Sequence, residues 1–456
     1  MITVDAIEEP RPGALFTDRY EIQRLLGEGD RKRTYLARDT KLDRLVAISY
    51  VRPEAVSRDP AGTEREAKVL GRIGSNANIV SLYDYDIDTN STVQYMVFQY
   101  LSGGTLAEYL SRTGPMQLGR VLRLGRQLCR GLHHLHARDL VHRDVSPDNI
   151  WLDERHDAHL GDFDSAIPVA GYTGARPITT NSFAAPEELA GGPLDVRADL
   201  YSLGAVLVAA ATNVRKPREA DIVEVRRPDF PSAFGDLVAE LLADSPAERP
   251  ASAEEVLGRL DEIRTLSDIS GLVAAGESET VEFKSSLHHP YGPPRPGPRM
   301  QPAQLRKELN KAVTKTIAAF LNSAGGTLLI GIDDAGVALG IDADFSYCKK
   351  DKQDADGWLQ SLRVVIDNAL GAETWNVIRV SLVTYNGKTV AVIRCPARDT
   401  HTWHAEDGKS ESFYIRAGNA TEKLDGRALL RYVTEHWSRQ SQGLATTYTL
   451  AHDELS

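Results

Sequence analysis

Cysteine is scarce. The chain has 3 in 456 residues, Cys129, Cys348 and Cys395, an odd and widely spaced set that excludes a disulfide framework and suits a reducing compartment. Long apolar runs are missing as well. The longest weakly polar stretch, Leu200 to Thr212, falls far short of the ~20 residues needed to cross a bilayer, so no membrane partner is expected. The opening MITVDAIEEPRPG has neither the basic start nor the apolar core of a secretion signal, and the expected location is the cytoplasm. Positive charge is in deficit: the net charge of −11 excludes a surface that is basic all over, so any contact with nucleic acid has to use a local patch. Arg306, Lys307, Lys311 and Lys315, at near-helical spacing, and Lys349, Lys350 and Lys352 are the candidates, with a solvated face as the alternative for each.

What is present reads as globular, with 42% apolar and 26% charged residues, and the length calls for two or three domains at ~150 residues each. After an arm over 1–17, Tyr20 to Val51 alternates apolar and polar residues as an antiparallel sheet does. Helical periodicity follows over Thr63–Ile73 and Leu106–Leu135 and ends near Ile263. The small-residue stretch 266–275 reads as a linker. Beyond it the pattern predicts a strand at Val281–Lys284, a helix over Ala303–Asn322 and an apolar strand ending at Asp333. A helix over Gly357–Leu370, a hairpin turning at Asn386–Gly387, a strand at Phe413–Arg416 and a last helix over Gly426–His436 complete a unit spanning 276–440, followed by a tail over 441–456. Residues 290–302, PYGPPRPGPRMQP, are too rich in proline for a helix or a central strand.

Three short blocks carry chemistry in the first half: HRDVSPDN at 142–149, GDFD at 161–164 and AAPEE at 184–188. Phosphoryl transfer needs a carboxylate beside the accepting hydroxyl and oxygen ligands for a cation across the phosphates. Asp144 supplies the first, and Asn149 with Asp162 the second. Their order and spacing resemble the eukaryotic-type protein kinase superfamily, including its bacterial Ser/Thr members. The resemblance implies a bilobal kinase fold over 18–265, with ATP and magnesium or manganese as cofactors and a protein substrate or autophosphorylation as the outcome. It makes Gly27 and Gly29 the phosphate-covering turn, Glu66 the glutamate of the third helix, and Gln99 and Leu101 the nucleotide hinge. Glu187 and Arg249 match a supporting ion pair, and Asp199 a buried acid under the catalytic loop.

Departures from that pattern bear on activity. VAIS at 46–49 puts Ser49 where kinases carry the lysine that contacts the α and β phosphates. Yet Lys32 stands in the turn GEGDRKRTY, at the place of a third glycine, which resembles the "with no lysine" kinases. A lysine there could supply the same charge by another path, pairing with Glu66 or the phosphates. Asp164 replaces the glycine after Phe163 and Ser146 replaces a lysine, and both count towards the alternative of a pseudokinase. Thr173, Thr179, Thr180 and Ser182 are candidate phosphate acceptors, and Arg143 a candidate receiver of that phosphate.

In the second half, GESETVEFKSS (276–286), AAFLNSAGGTLLIGIDDAG (318–336) and FYIRAGNAT (413–421) resemble the Schlafen family's AlbA-like domain. Overall the expected fold class is α+β in two domains, a bilobal kinase fold followed by an AlbA-like α+β domain. In nuclease-active Schlafen members three carboxylates bind metal and cleave RNA, and the matching residues are Glu277, Glu282 and Asp334. Lys284, on the same strand face as Glu282, would steady the phosphate. The resemblance thus implies a Ser/Thr kinase-like regulator joined to a metal-dependent ribonuclease, with a role in bacterial stress or anti-phage defence. Binding of RNA or DNA without cleavage and a protein-interaction role are the alternatives, and a homodimer is allowed. HTWH at 401–404 lacks partners at a zinc spacing and reads as a surface loop.

Overall fold

The computed structural model describes residues 11–437 except 30, 53–54, 56–60, 89–92, 169–181, 215–224, 226–229, 292–300 and 407–409. The chain divides into two units, Met1–Arg264 and Thr265–Ser456. Thr173, Thr179, Thr180, most of the proline-rich loop and the tail 441–456 lie outside the described residues. None of the described helices is long and apolar enough to cross a membrane.

The first unit opens with strands β1 (Leu15–Phe16), β2 (Tyr20–Glu28), β3 (Lys32–Asp39), β4 (Arg44–Val51), β5 (Leu82–Ile87) and β6 (Gln94–Gln99). They form one antiparallel sheet in the order β1-β2-β3-β4-β6-β5. The end of the expected arm is therefore sheet: Leu15 and Phe16 pair with Glu21 and Tyr20. Alternation sorts the side chains, so that Tyr20, Ile22, Tyr35, Ala37, Val46, Ile48, Tyr95 and Val97 pack on one face. Lys32, Thr34, Ala47 and Ser49 belong to the opposite parity and line a cleft on the other face. Helix Gly62–Ile73 buries Glu66, Ala67, Leu70 and Ile73 along one side.

A helical lobe follows. The run expected as one helix over Leu106–Leu135 is two, Leu106–Thr113 and Leu118–His136, because Gly114 and Pro115 interrupt the pattern. Thr105 and Glu108 form a reciprocal capping box at the start of the first. Helix Arg197–Thr212 is apolar nearly all round and lies fully inside the lobe, against the helices Leu118–His136 and Ser232–Leu241.

The second unit has a four-stranded sheet in which Val281–Lys284 pairs in parallel with Gly326–Ile330, followed by the antiparallel Lys388–Cys395 and Arg379–Tyr385. Helices Pro302–Leu321 and Ala355–Leu370 pack on one face through Ile317, Phe320, Trp358 and Ile366. The other face is covered by residues from the stretch read as a linker, a reading the structure corrects. Helix Ala253–Ala275 runs through it, and Ile269, Leu272 and Val273 pack against Val281, Phe283 and Val392. Spacing of these three residues along a helix makes up for the small neighbours that weakened the periodicity. A three-stranded sheet, His404–Ala405, Glu411–Ala417 and Ala420–Leu424, and a helix over 426–437 complete the unit. Asn386 (φ 50) and Gly387 (φ 72) both take the left-handed conformation that a two-residue hairpin demands. HTWH is only partly surface: His404 is buried and shares a 2.8 Å hydrogen bond with Thr314, since the ring fits between helix and sheet.

Candidate functional site

In the first unit a cavity of about 230 Å³ lies between the sheet and the helical lobe. Gly27, Gly29, Lys32, Ser49, Glu66, Gln99, Leu101, Asn149 and Asp162 all line it, so residues from six separated segments meet there. Ala47, Val80 and Phe98 give it an apolar wall.

Strand register explains how Lys32 reaches this cavity. Thr34 sits opposite Ser49, and Lys32, two residues earlier, keeps the same parity and points to the same face. Its ammonium is hydrogen-bonded to Glu66 Oε2 and lies 3.9 Å from Asp162 Oδ1. Burial opposes the charge on Lys32, but Glu66, Asp162 and Asp164 together hold its pKa above the ordinary value. Burial pushes the Glu66 carboxyl up to about 7, against the pull of Lys32. Ser49 is buried on the neighbouring strand and carries no charge. The Lys32 cation thus comes from the first residue of β3, next to the turn after β2.

Below, the catalytic-loop segment is fixed by Asp199. This fully buried acid accepts from the backbone N–H groups of His142 and Arg143, each at 2.8 Å, and is paired with His136 at 2.8 Å. Burial works against its ionisation, yet these bonds hold its pKa below the ordinary value. Arg143 (φ 69) and Asp162 (φ 56) have left-handed backbones, and that of Arg143 is held by its N–H bond to Asp199. Asn149 donates its Nδ2 to the backbone oxygen (3.0 Å) and Oδ2 (2.8 Å) of Asp144. Its amide oxygen is then the atom it can offer a cation. Glu187 and Arg249 form the expected two-pronged ion pair at 2.7 and 2.8 Å.

Arg143 is placed differently from the expectation of a phosphate receiver. Its guanidinium bonds Glu188 Oε1 at 3.0 Å, both side chains being almost fully buried. Burial raises the Glu188 carboxyl to about 7, with Arg143 opposing. Sequence reading missed this pair and also the 2.6 Å ion pair between Arg31 and Asp164. The acid next to Glu187 and the run Arg31-Lys32-Arg33 facing an extra acid were the available signals.

The three acids of the second unit do not assemble. Among the described residues no group of three His, Cys, Asp or Glu side chains is disposed to hold a metal ion. Glu277 accepts the Phe283 N–H at 2.9 Å and so shapes the turn before its strand. Glu282 does share a strand face with Lys284, but its oxygens are taken by Lys284 Nζ and by Arg416 Nη1 at 2.8 Å. Lys284 also donates to its neighbour's backbone oxygen, Phe283 O, at 2.8 Å, so its ammonium is engaged within the unit. Arg416, whose side chain is wholly buried, spends its other donors on Ser278 O, Glu279 O and Thr421. Asp334 lies in the turn beyond strand Gly326–Ile330, where Asp333 accepts from Ala335 N and Val337 N. A divalent cation would have to displace an arginine and a lysine from Glu282, so the residues present do not fit a metal centre.

A basic surface is better formed. The His288 ring bonds Asn310 at 3.0 Å, one turn past Arg306, and its centroid lies 6.3 Å from that of Tyr347, two residues before Lys349. Asn310 and Tyr347, each close in sequence to one cationic cluster, thus meet at the same histidine, and Arg306, Lys307, Lys349 and Lys350 are exposed. Lys311 and Lys352 are paired with Glu406 (3.3 Å) and Asp356 (2.8 Å).

Comparison with known proteins agrees with this division. The family model for the protein kinase domain matches residues 20–259, and that for Schlafen, AlbA_2 matches residues 277–425. Serine/threonine-protein kinase PrkC of Bacillus subtilis is 29% identical over 266 residues, 54% of this chain and 40% of its own length. Serine/threonine-protein kinase PknB of Mycolicibacterium smegmatis is 32% identical over 273 residues (54% and 43%). Serine/threonine-protein kinase pkn3 of Myxococcus xanthus is 30% identical over 285 residues (55% and 51%). The chain spans about two fifths of the length of the first two of these. With the cleft built as described and more than half of its length matched, the chain belongs to the protein kinase family, its kinase domain followed by a Schlafen AlbA_2 domain.

Proposed function

We propose that the chain is an ATP-dependent Ser/Thr protein kinase in which Lys32 anchors the nucleotide phosphates, joined to a domain that binds nucleic acid without cutting it. The carrying observation is the Lys32–Glu66 ion pair within a cleft that also holds Asp162 and Asn149. Gln99 and Leu101 receive the base, and Gly27 and Gly29 leave room for the phosphates. A divalent cation bound with ATP offsets phosphate charge, and Asp162 with the Asn149 amide oxygen would hold it. Asp144 takes the proton of the incoming Ser or Thr hydroxyl at its carboxylate, which Asn149 orients. Lys32 meets the phosphates as a mobile point charge, and Glu66 returns it to the cleft between turnovers.

For the second domain, binding is supported by the exposed cations around His288, and cleavage is disfavoured by the engagement of Glu277 and Glu282. RNA is the favoured ligand. Two measurements test the two halves. Transfer of labelled phosphate from ATP to casein or to the chain itself is lost in Lys32→Ala and kept in Ser49→Ala; survival in Lys32→Ala rejects the anchor. Labelled RNA and single-stranded DNA with manganese stay intact but are retained on a filter; cleavage that disappears in Glu282→Ala rejects the binding-only reading.

A further inference from the structure

Asp164 occupies the position where the kinase pattern has glycine, a change that on sequence grounds only adds charge beside Asp162. The structure gives it a partner 133 residues away: Arg31 Nη1 lies 2.6 Å from Asp164 Oδ2. Arg31 immediately precedes Lys32, and its backbone oxygen accepts Arg52 N at 2.8 Å while Lys32 O accepts Gly29 N at 2.9 Å. The turn is thus fixed to the sheet through its backbone and to the far side of the cleft through one side chain. Two adjacent cations reach two different acids, Lys32 to Glu66 and Arg31 to Asp164.

Lys32 opens β3 directly after that turn, and a lysine at a strand end has a difficulty that one in mid-strand lacks. Any displacement of the turn after β2 carries Lys32 away from the phosphates. We infer that Asp164 is a positioning residue: by holding Arg31 it fixes the turn that presents Lys32, so that aspartate at 164 and lysine at 32 work as a set. This rests on the assignment of Lys32 made above. Restoring the family's glycine at 164 therefore harms the enzyme. Both side chains are partly exposed, Arg31 at 35% and Asp164 at 22%, so the effect is moderate.

The test is calorimetric titration of the full chain with magnesium and ATP, beside steady-state kinetics. Asp164→Gly and Arg31→Ala each weaken ATP binding about fivefold and raise its KM with kcat nearly unchanged, the scale of a partly exposed ion pair. The double variant is no worse than either single one, Asp164→Glu keeps wild-type affinity, and the reversed pair Arg31→Asp with Asp164→Arg recovers most of it. In a Lys32→Ala background, Asp164→Gly has no further effect. Wild-type affinity in Asp164→Gly, additive losses in the double variant, or an undiminished effect of Asp164→Gly without Lys32 would each overturn the inference. Wild-type affinity in Lys32→Ala alone would instead remove the Lys32 assignment on which it stands.

Discussion

Both units gather acids and cations, and the balance differs. In the kinase cleft three carboxylates, Glu66, Asp162 and Asp164, face two cations, Arg31 and Lys32. Around Glu282 the ratio reverses, with Arg416 and Lys284 on a single carboxylate. The first arrangement leaves one carboxylate more than it has cations. The second has already neutralised its acid from within the chain. A count of acids at matching positions therefore does not make a metal centre; what matters is how much of their charge the protein leaves unmatched.

The comparison predicts opposite outcomes for similar changes. Lys32→Ala lowers phosphotransfer about a hundredfold or more, the scale of removing one preorganised charge at a reacting centre. Glu282→Ala strands the buried Arg416 guanidinium, so unfolding of the second unit becomes about 3 kcal/mol easier by denaturant titration while kinase activity is kept. Equal melting of that variant and the wild type would place Arg416 in a less demanding environment.

A smaller effect follows from Glu66, which burial raises to about 7. A raised carboxyl binds its proton more tightly in the folded chain, so its contribution to stability is full below the unfolded value and is lost as pH rises through about 7. The ion pair with Lys32 needs the ionised form, so kcat/KM climbs over the same interval. Melting temperature falling from about pH 4.5 to about 7 and then levelling, while activity rises through about pH 7, is the expected signature, and a flat activity profile would separate Glu66 from the chemistry. Smallest is the basic face: Arg306→Glu or Lys349→Glu weakens RNA retention about threefold and reduces its salt slope by about one, leaving the kinase unaffected.

Legibility in the sequence followed the range of the interactions. HRDVSPDN and GDFD are short segments whose members act on one another locally, as Asn149 does on Asp144, and these were readable. Lys32 was picked out only through the resemblance of its turn to kinases that lack the usual lysine, and its parity with Thr34 on β3 is what the structure adds. The Glu187–Arg249 pair, 62 residues apart, was legible only through family resemblance. The partners of Asp164 and Arg143 were not, since Arg31 and Glu188 meet them through the tertiary fold. Asp344 is the clearest omission. This buried acid accepts from Leu287, His288 and His289 N–H and from the Trp358 indole, and nothing in its local sequence announces that role. The helix through 265–275 was hidden because only Ile269, Leu272 and Val273 mark its apolar side.

The most direct measurement is phosphate transfer from labelled ATP by the full chain, comparing wild type, Lys32→Ala and Ser49→Ala under one magnesium concentration. Transfer by wild type and Ser49→Ala, with near loss in Lys32→Ala, is the expected result. Comparable transfer by Lys32→Ala, or none by the wild type, would contradict it.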